Sequence, residues 1–446
     1  MRSRLKLVGI TVTTIGLVIG VAGCGGSSKS SSSSGAASGA SSSAAKATFS
    51  DPTSGVTADS ISYGLINDQT GATAATQVPF GDGFLTAIKA VNDKGGVLGR
   101  KINVNQCDEK YQVAPAVACL KDMISTTPVL AVTGLNNSSF QAAGLPLVQA
   151  AKLPVIGPES TSQGIVTPFP KYVWATECTY PNQADVAVAW AVKKLGTTNF
   201  TAVGLGGNVA SADAYLNQVK ERVVKAGGNY LETVHYEYGA PNLDQQAQEI
   251  AAKKPMVIFT HGGTAQNVPA VKSLEKFGVT STLVIGIFAQ ETDPIALASP
   301  AVGKNYYAVN CYQNAKNSSI KGVPAMIAAA KAAGYADTIY NSSDFTNGYV
   351  NGLLAIQAIT KAGDKLTRDS LNAVMPTIQN FDTGGLSPNI TFGPSNSVGV
   401  NSVAPFKFNY TTSTWEIQGA FSDYDKCNSQ EFANGNIDKF DPKCIA

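Results

Sequence analysis

Histidine is scarce in this chain: two residues, His235 and His261, among 446. Two imidazoles are too few for most zinc sites, and no Cys-x-x-Cys pair supplies thiolates instead. Charged residues make up only 14% of the chain, with a formal net charge of +2. Three of the positive charges, Arg2, Arg4 and Lys6, sit at the extreme N-terminus; taking them from 33 basic residues leaves 30 against 31 acidic ones. Such a balance gives no basic field to attract nucleic acid. Enzyme signatures are thin too. The chain has no Gly-x-Ser-x-Gly elbow, no His-Glu-x-x-His and no Gly-x-x-x-x-Gly-Lys-Ser/Thr loop. Gly204-Leu205-Gly206-Gly207 follows a strand pattern but lacks the third glycine of a dinucleotide turn. The paired carboxylates Asp108-Glu109 read as a solvated strand end rather than an acid/base pair. These deficits disfavour a zinc enzyme, a nucleic-acid binder and a multispan membrane protein, and no metal or cofactor is expected.

What is present begins with an address. Residues 1–6 are basic and residues 7–22 largely apolar, a run too short for a comfortable membrane span. It ends at Val21-Ala22-Gly23-Cys24, a small-residue cleavage site directly before a cysteine. This resembles the bacterial lipobox, which implies a signal peptide over 1–23 and lipidation of Cys24; a plain secretory signal is the alternative. Residues 25–47 are Gly, Ser or Ala throughout, except Lys29 and Lys46. They cannot bury enough apolar surface to offset ordering entropy, so 24–57 reads as a disordered tether. At about 5–6 Å × √n the low-complexity run reaches roughly 25–30 Å. The expected location is the outer face of the cell membrane. Beyond Cys24, six cysteines remain: Cys107, Cys119, Cys178, Cys311, Cys427 and Cys444. An even number in an exported chain favours disulfides over free thiols, with fifteen pairings allowed. Cys107 and Cys119 flank a strand-to-helix turn, and Cys427 and Cys444 bracket the tail.

From Ser60 onward, short apolar runs alternate with helical patterns. Ile61, Tyr63 and Leu65 alternate along a strand ending near Asn67. Phe80, Phe84, Ile88 and Val91 recur at helical spacing until Gly95-Gly96. Strands at 102–105, 129–133 and 155–156 follow, separated by helices through Leu120 and from about Ser138. The pattern restarts with a strand at Tyr172–Thr176, and strands at 200–205, 230–235, 256–260 and 283–287 alternate with helices. A strand at 306–309, helices near 323–333, 344–362 and 367–374, and short terminal strands complete the chain. The fold class is α/β, as two doubly wound, Rossmann-like lobes. A cleft between two such lobes receives ligands beyond the carboxyl ends of strands, where helix N-termini present free N–H groups.

The run Asn67-Asp68-Gln69-Thr70-Gly71, then Phe80-Gly81-Asp82-Gly83, then Val91-Asn92-Asp93-Lys94-Gly95-Gly96-Val97-Leu98-Gly99-Arg100-Lys101 resembles the leucine/isoleucine/valine-type substrate-binding proteins of ABC importers. The resemblance implies a class I periplasmic-binding-protein fold with a three-stranded hinge, here at about 177–180, 308–313 and 384–404. Lobe one would comprise 58–178 with 312–390, and lobe two 179–311 with 391–446. It also implies a lobe-one disulfide, Cys107–Cys119, and a bridge between hinge strands, Cys178–Cys311.

Carried onto this chain, the family's ligand site starts at Asn136-Asn137-Ser138-Ser139, a hydroxyl beside helix-start N–H groups suited to a carboxylate. An ordinary N-cap serine is the alternative reading of Ser138. Glu159, Ser160 and Thr161 match the second contact loop, again with capping as the alternative. Phe80 matches an aromatic that closes over the ligand, or else a core residue. Ser211, His261, Gly262 and Phe288 represent lobe two. The carboxylate that anchors a ligand amino group in the family is replaced by Ile287-Phe288-Ala289, with Glu291 a few residues on and Glu159 an alternative source from lobe one. These departures leave a small carboxylate, amide, aromatic acid or modified amino acid as open as a branched-chain amino acid. The implied function is a lipid-anchored, monomeric receptor that binds a small molecule and hands it to an ABC permease. A sensory lipoprotein or a lipid-anchored hydrolase is the alternative.

Overall fold

A computed structural model describes residues 47–162, 170–288, 300–412 and 414–423. The expectations for Cys24, Glu291, Cys427 and Cys444 lie outside the described residues. The first sheet is built by β1 (Ser60–Asn67), β2 (Lys101–Asp108), β3 (Val132–Gly134), β4 (Val155–Pro158) and β5 (Val173–Trp174), all parallel, in the order β2-β1-β3-β4-β5. Between them run α1 (Ala74–Asp93), α2 (Val113–Ser125) and α3 (Ser138–Ala150). β1 and β4 are buried almost throughout, as strands covered on both faces by helices must be. The segment 172–176 differs from its sequence reading. It does not open the second unit but closes the first sheet, with Val173 and Trp174 paired to Val155 and Ile156.

The second lobe begins with α4 (Tyr180–Leu195) and continues through β6 (Thr201–Gly207), α5 (Ala210–Lys225), β7 (Asn229–Tyr236), α6 (Asp244–Lys253), β8 (Val257–His261), α7 (Thr264–Lys276), β9 (Leu283–Ile287) and β10 (Tyr306–Asn310). The chain then returns to lobe one as α8 (Val323–Ala333), α9 (Ser343–Ala362) and α10 (Arg368–Val374); single-turn helices are left unnumbered. It crosses back to add β11 (Ser402–Asn409), β12 (Thr414–Ile417) and β13 (Ser422–Asp423), giving the order β12-β11-β10-β9-β8-β6-β7 with β13 on β11. β6 to β10 are parallel, whereas β11, β12 and β13 pair antiparallel.

Three segments link the lobes, around 175–179, 310–313 and 397–401. Ala175 N–H donates to Ser397 O and Gly399 N–H to Ala175 O, at 2.8 and 2.7 Å. The Tyr312 hydroxyl donates to Thr176 O at 2.9 Å, and a disulfide joins Cys178 to Cys311. A second disulfide, Cys107–Cys119, ties the end of β2 to α2.

Two further contacts define lobe one. α1 and α9 cross at reciprocal glycines: a Cβ on Gly83 would lie 2.0 Å from Phe345 O, and one on Gly348 1.9 Å from Phe80 O. Phe80 is fully buried in this packing, so of its two readings the structure gives core and not cleft. Arg100 is also fully buried, its Nε donating to Thr57 O at 2.8 Å and its Nη2 to Phe49 O and Asp364 O at 2.9 and 3.2 Å, so residues 49–57, expected as the end of a disordered tether, are instead ordered against lobe one.

Candidate functional site

The carboxyl ends of both parallel sheets face one another, and the residues just beyond them line a single cleft. From lobe one come Thr73 and Gln77 after β1, Tyr111 after β2, Asn136 after β3 and Glu159 after β4. Asp344 joins them from the first turn of α9, and Glu177 from the hinge. Lobe two contributes Tyr180 at the start of α4, Ser211 on α5, Tyr238 after β7, His261 at the end of β8, Gln266 on α7 and Phe288 after β9. Non-atom space between these walls amounts to about 540 Å³, part of it open solvent.

The lobes touch across this cleft. Tyr111 stacks on Tyr238 with ring centroids 5.3 Å apart, and its hydroxyl accepts from Asn137 Nδ2 at 2.9 Å. Gln266 Nε2 of lobe two donates to Ala72 O of lobe one at 3.4 Å. On the lobe-two wall, His261 meets Phe288 edge-on at 5.4 Å and Tyr180 at 5.9 Å. Phe288 holds a left-handed backbone with φ of 55°, a strained conformation of the kind that gathers at binding sites.

The electrostatics are one-sided. Glu159, Glu177 and His261 are 7%, 5% and 4% exposed. Glu159 Oε1 accepts from Asn347 Nδ2 at 3.3 Å, while Glu159 Oε2, Glu177 Oε2 and both His261 ring nitrogens have no hydrogen-bond partner. Burial raises both glutamates well above the usual carboxylate range, reinforced for Glu177 by Glu159 and Asp344 and for Glu159 by Asp344. Burial also brings Asp344 to about 7 and pushes His261 down to about 4, so the imidazole is neutral at pH 7. Behind this wall, Glu109 is fully buried with neither oxygen bonded, and burial next to Asp68, Glu159 and Asp108 raises it to about 9. The Asp108-Glu109 pair is therefore not a solvated strand end. Only Asp108 is turned out, accepting from Gln69 N and Thr70 Oγ1, while the next residue points inward by strand alternation.

Of the residues singled out in the sequence, Glu159, Ser211, His261 and Phe288 line the cleft. Ser138, Ser160 and Thr161 do not. Ser138 Oγ lies 2.6 Å from Ser160 Oγ and 3.1 Å from Ser162 Oγ, and Thr161 Oγ1 donates to Cys178 O at 2.8 Å. Asn137 caps α3 by accepting from Ser139 N at 2.8 Å, and Asn137 and Ser139 border a separate surface groove. Gly262 is passed over between His261 and Gly263, its carbonyl accepting from Asn267 Nδ2. Sequence reasoning missed Gln77, Tyr111, Glu177, Tyr180, Tyr238 and Asp344. The strand-end rule could have found Tyr111 and Tyr238, and the expected hinge contains Glu177.

The periplasmic binding protein family profile matches residues 60–411. The chain belongs to this family. Its class I architecture is shared by many solved structures. A fatty acid ABC transporter substrate-binding protein from Thermomonospora curvata is 20% identical, with a TM-score of 0.71 over 82% of this chain and 92% of that one. A branched chain amino acid ABC transporter protein from Thermus thermophilus with bound valine is 15% identical, with a TM-score of 0.74 over 81% and 96%. An R. palustris solute binding protein in complex with benzoate is 16% identical, with a TM-score of 0.70 over 81% and 96%. At these identities the likeness establishes the fold. A comparison with curated protein sequences gives no significant match.

The buried carboxyls of this binding protein make its stability pH-dependent. Between about 4.5 and 9, folded Glu109 keeps a proton that the unfolded chain has lost, and Asp344 does so from 3.8 to about 7. Stability therefore falls as pH rises through those windows. His261 acts oppositely, but only between about 4 and 6.5. Thermal melts of the ligand-free protein should show the decline unopposed by His261 from pH 6.5 to 8.5. Glu109 alone should account for about 2–3 kcal/mol of it, and Glu109→Gln should flatten the slope by that share.

Proposed function

We propose that this chain is the extracytoplasmic receptor of an ABC importer, held at the outer face of the membrane by a lipid on Cys24. It takes a small solute into the cleft and presents it to a membrane permease. The observation that carries this reading is a cleft lined from both lobes and the hinge, where several buried polar atoms have no partner within the chain. A solute that contacts both walls favours the closed arrangement by its differential affinity for it. The valine and benzoate bound by two proteins of this fold, and the fatty acid in the name of a third, support a small organic ligand without selecting among them.

The test pairs binding with transport. The purified protein is screened by thermal shift against amino acids, amides, amines, aromatic acids and fatty acids, and hits are examined by small-angle scattering. A ligand should raise the melting temperature and reduce the radius of gyration, and deleting the gene should abolish uptake of that solute. Conversion of the bound solute to a product, or uptake unchanged by the deletion, would overturn the proposal. Cys24→Ser should move the protein from the membrane fraction to the medium or periplasm.

A further inference from the structure

Glu159, Glu177 and Asp344 reach the cleft from three separate segments: the loop after β4, the hinge and the first turn of α9. Among the described residues, no lysine or arginine lines the cleft to balance them. A second observation concerns the side chains around these carboxylates. Gln77 Oε1 and the ring nitrogens of His261 belong to residues 5% and 4% exposed, line the same cleft and have no partner within the chain. Buried polar atoms in native proteins are almost always bonded, so atoms left open along one wall mark where an outside partner binds. The acceptors among them are the amide oxygen of Gln77, one nitrogen of a neutral imidazole and, once the glutamates ionise, their carboxylate oxygens. They call for a donor-rich ligand.

The hydroxyls that would receive a ligand carboxylate are turned elsewhere. Ser138 bonds both Ser160 and Ser162, and Thr161 bonds the hinge backbone. Nor do the acids form a metal cage: among the described residues, no three His, Cys, Asp or Glu side chains are placed to hold a cation. In the same cleft, Tyr180 and Phe288 offer rings at a centroid spacing of 6.1 Å.

We propose that the cleft selects a small organic cation without a carboxylate group. Its ammonium, amidinium or guanidinium N–H groups donate to Glu159, Glu177 and Asp344, and its apolar body lies against Tyr180 and Phe288. Binding lets these carboxylates ionise together, because the guest's charge offsets the mutual repulsion and desolvation that otherwise oppose it. This inference rests on the receptor reading above and names its substrate class.

Near-isosteric probes separate the alternatives. Benzamidine, benzamide and benzoate share a shape and differ in charge; benzylamine adds an ammonium and L-valine a zwitterion. Titration calorimetry on the full chain should show benzamidine or benzylamine binding at least about tenfold more tightly than the other three. Glu159→Gln and Glu177→Gln should each weaken that binding by about tenfold or more. The ligand-free variants should melt no lower than the parent, since each loses a desolvated acid rather than a stabilising contact. Tighter binding of benzoate, benzamide or valine would overturn the cation assignment and leave the receptor function standing. Binding of the cations unaffected by either substitution would also overturn it. Failure of every probe would likewise overturn the cation assignment, while the receptor reading is decided separately by the uptake and turnover tests above.

Discussion

Leucine at Gly348 is expected to prevent lobe one from folding. The α1–α9 crossing brings Phe80 O within 1.9 Å of where a Cβ on Gly348 would sit, and Phe345 O within 2.0 Å of one on Gly83. Both obstacles are backbone carbonyls inside helices and cannot swing aside as a side chain would. Even alanine must push the helices apart along a contact that forms much of the lobe-one core. Overpacking costs about 1–3 kcal/mol when side chains can adjust; here the backbone must move, and about 3–5 kcal/mol is expected for Gly348→Ala. The sign is diagnostic, because glycine to alanine inside a helix ordinarily stabilises by about 1 kcal/mol. Denaturant melts of Gly83→Ala and Gly348→Ala should both show a loss, and Gly348→Leu should accumulate only as unfolded or aggregated chain. Wild-type stability in either alanine variant would contradict the packing described.

Arg100→Met carries the second large effect. Arg100 is fully buried and bonds Thr57 O, Phe49 O and Asp364 O, so its guanidinium fastens both the entry segment and the loop after α9 to the end of α1 and β2. Methionine keeps much of the stem packing but leaves three carbonyls without their donor. A loss of about 3–5 kcal/mol is expected. Limited proteolysis should detect new cleavage between residues 47 and 58 well below the melting temperature. Lysine should restore only part of the loss, because a single ammonium lacks the fork that spans separated acceptors. Cleavage elsewhere first, or none at all, would show that the segment is held by other contacts.

The two-lobed α/β architecture was readable in the sequence because its strands are short apolar runs and its helices carry a plain 3.6-residue period. Val155–Ile156 and Leu283–Ile287 need no partner to be recognised. Strand membership was less accessible. Residues 172–176 look alike whether they end one sheet or begin the next, and only the pairing with β4 decides. The site divides along similar lines. His261 and Phe288 fall where the strand-end rule directs attention. Ser138 and Thr161 have the right chemistry at the right loop, yet their hydroxyls are satisfied by Ser160, Ser162 and Cys178, partners that fold geometry supplies. Asp344 was out of reach for another reason: α9 is a late return of the chain to lobe one, and no local pattern says that its first turn looks into the cleft. Glu109 inverted its reading because a carboxylate at a strand end is usually wet, and here inward alternation drives it into the interior.

The position of the entry segment has a mechanical consequence. Because Arg100 moors residues 49–57 to lobe one, any tension from upstream is transmitted to that lobe and bypasses the hinge. In the closure proposed above, lobe two is then the jaw that moves, without dragging on the mooring line. If a lipid on Cys24 holds the chain as proposed above, the face of lobe one holding Phe49, Thr57 and Asp364 is the one the tether pulls on.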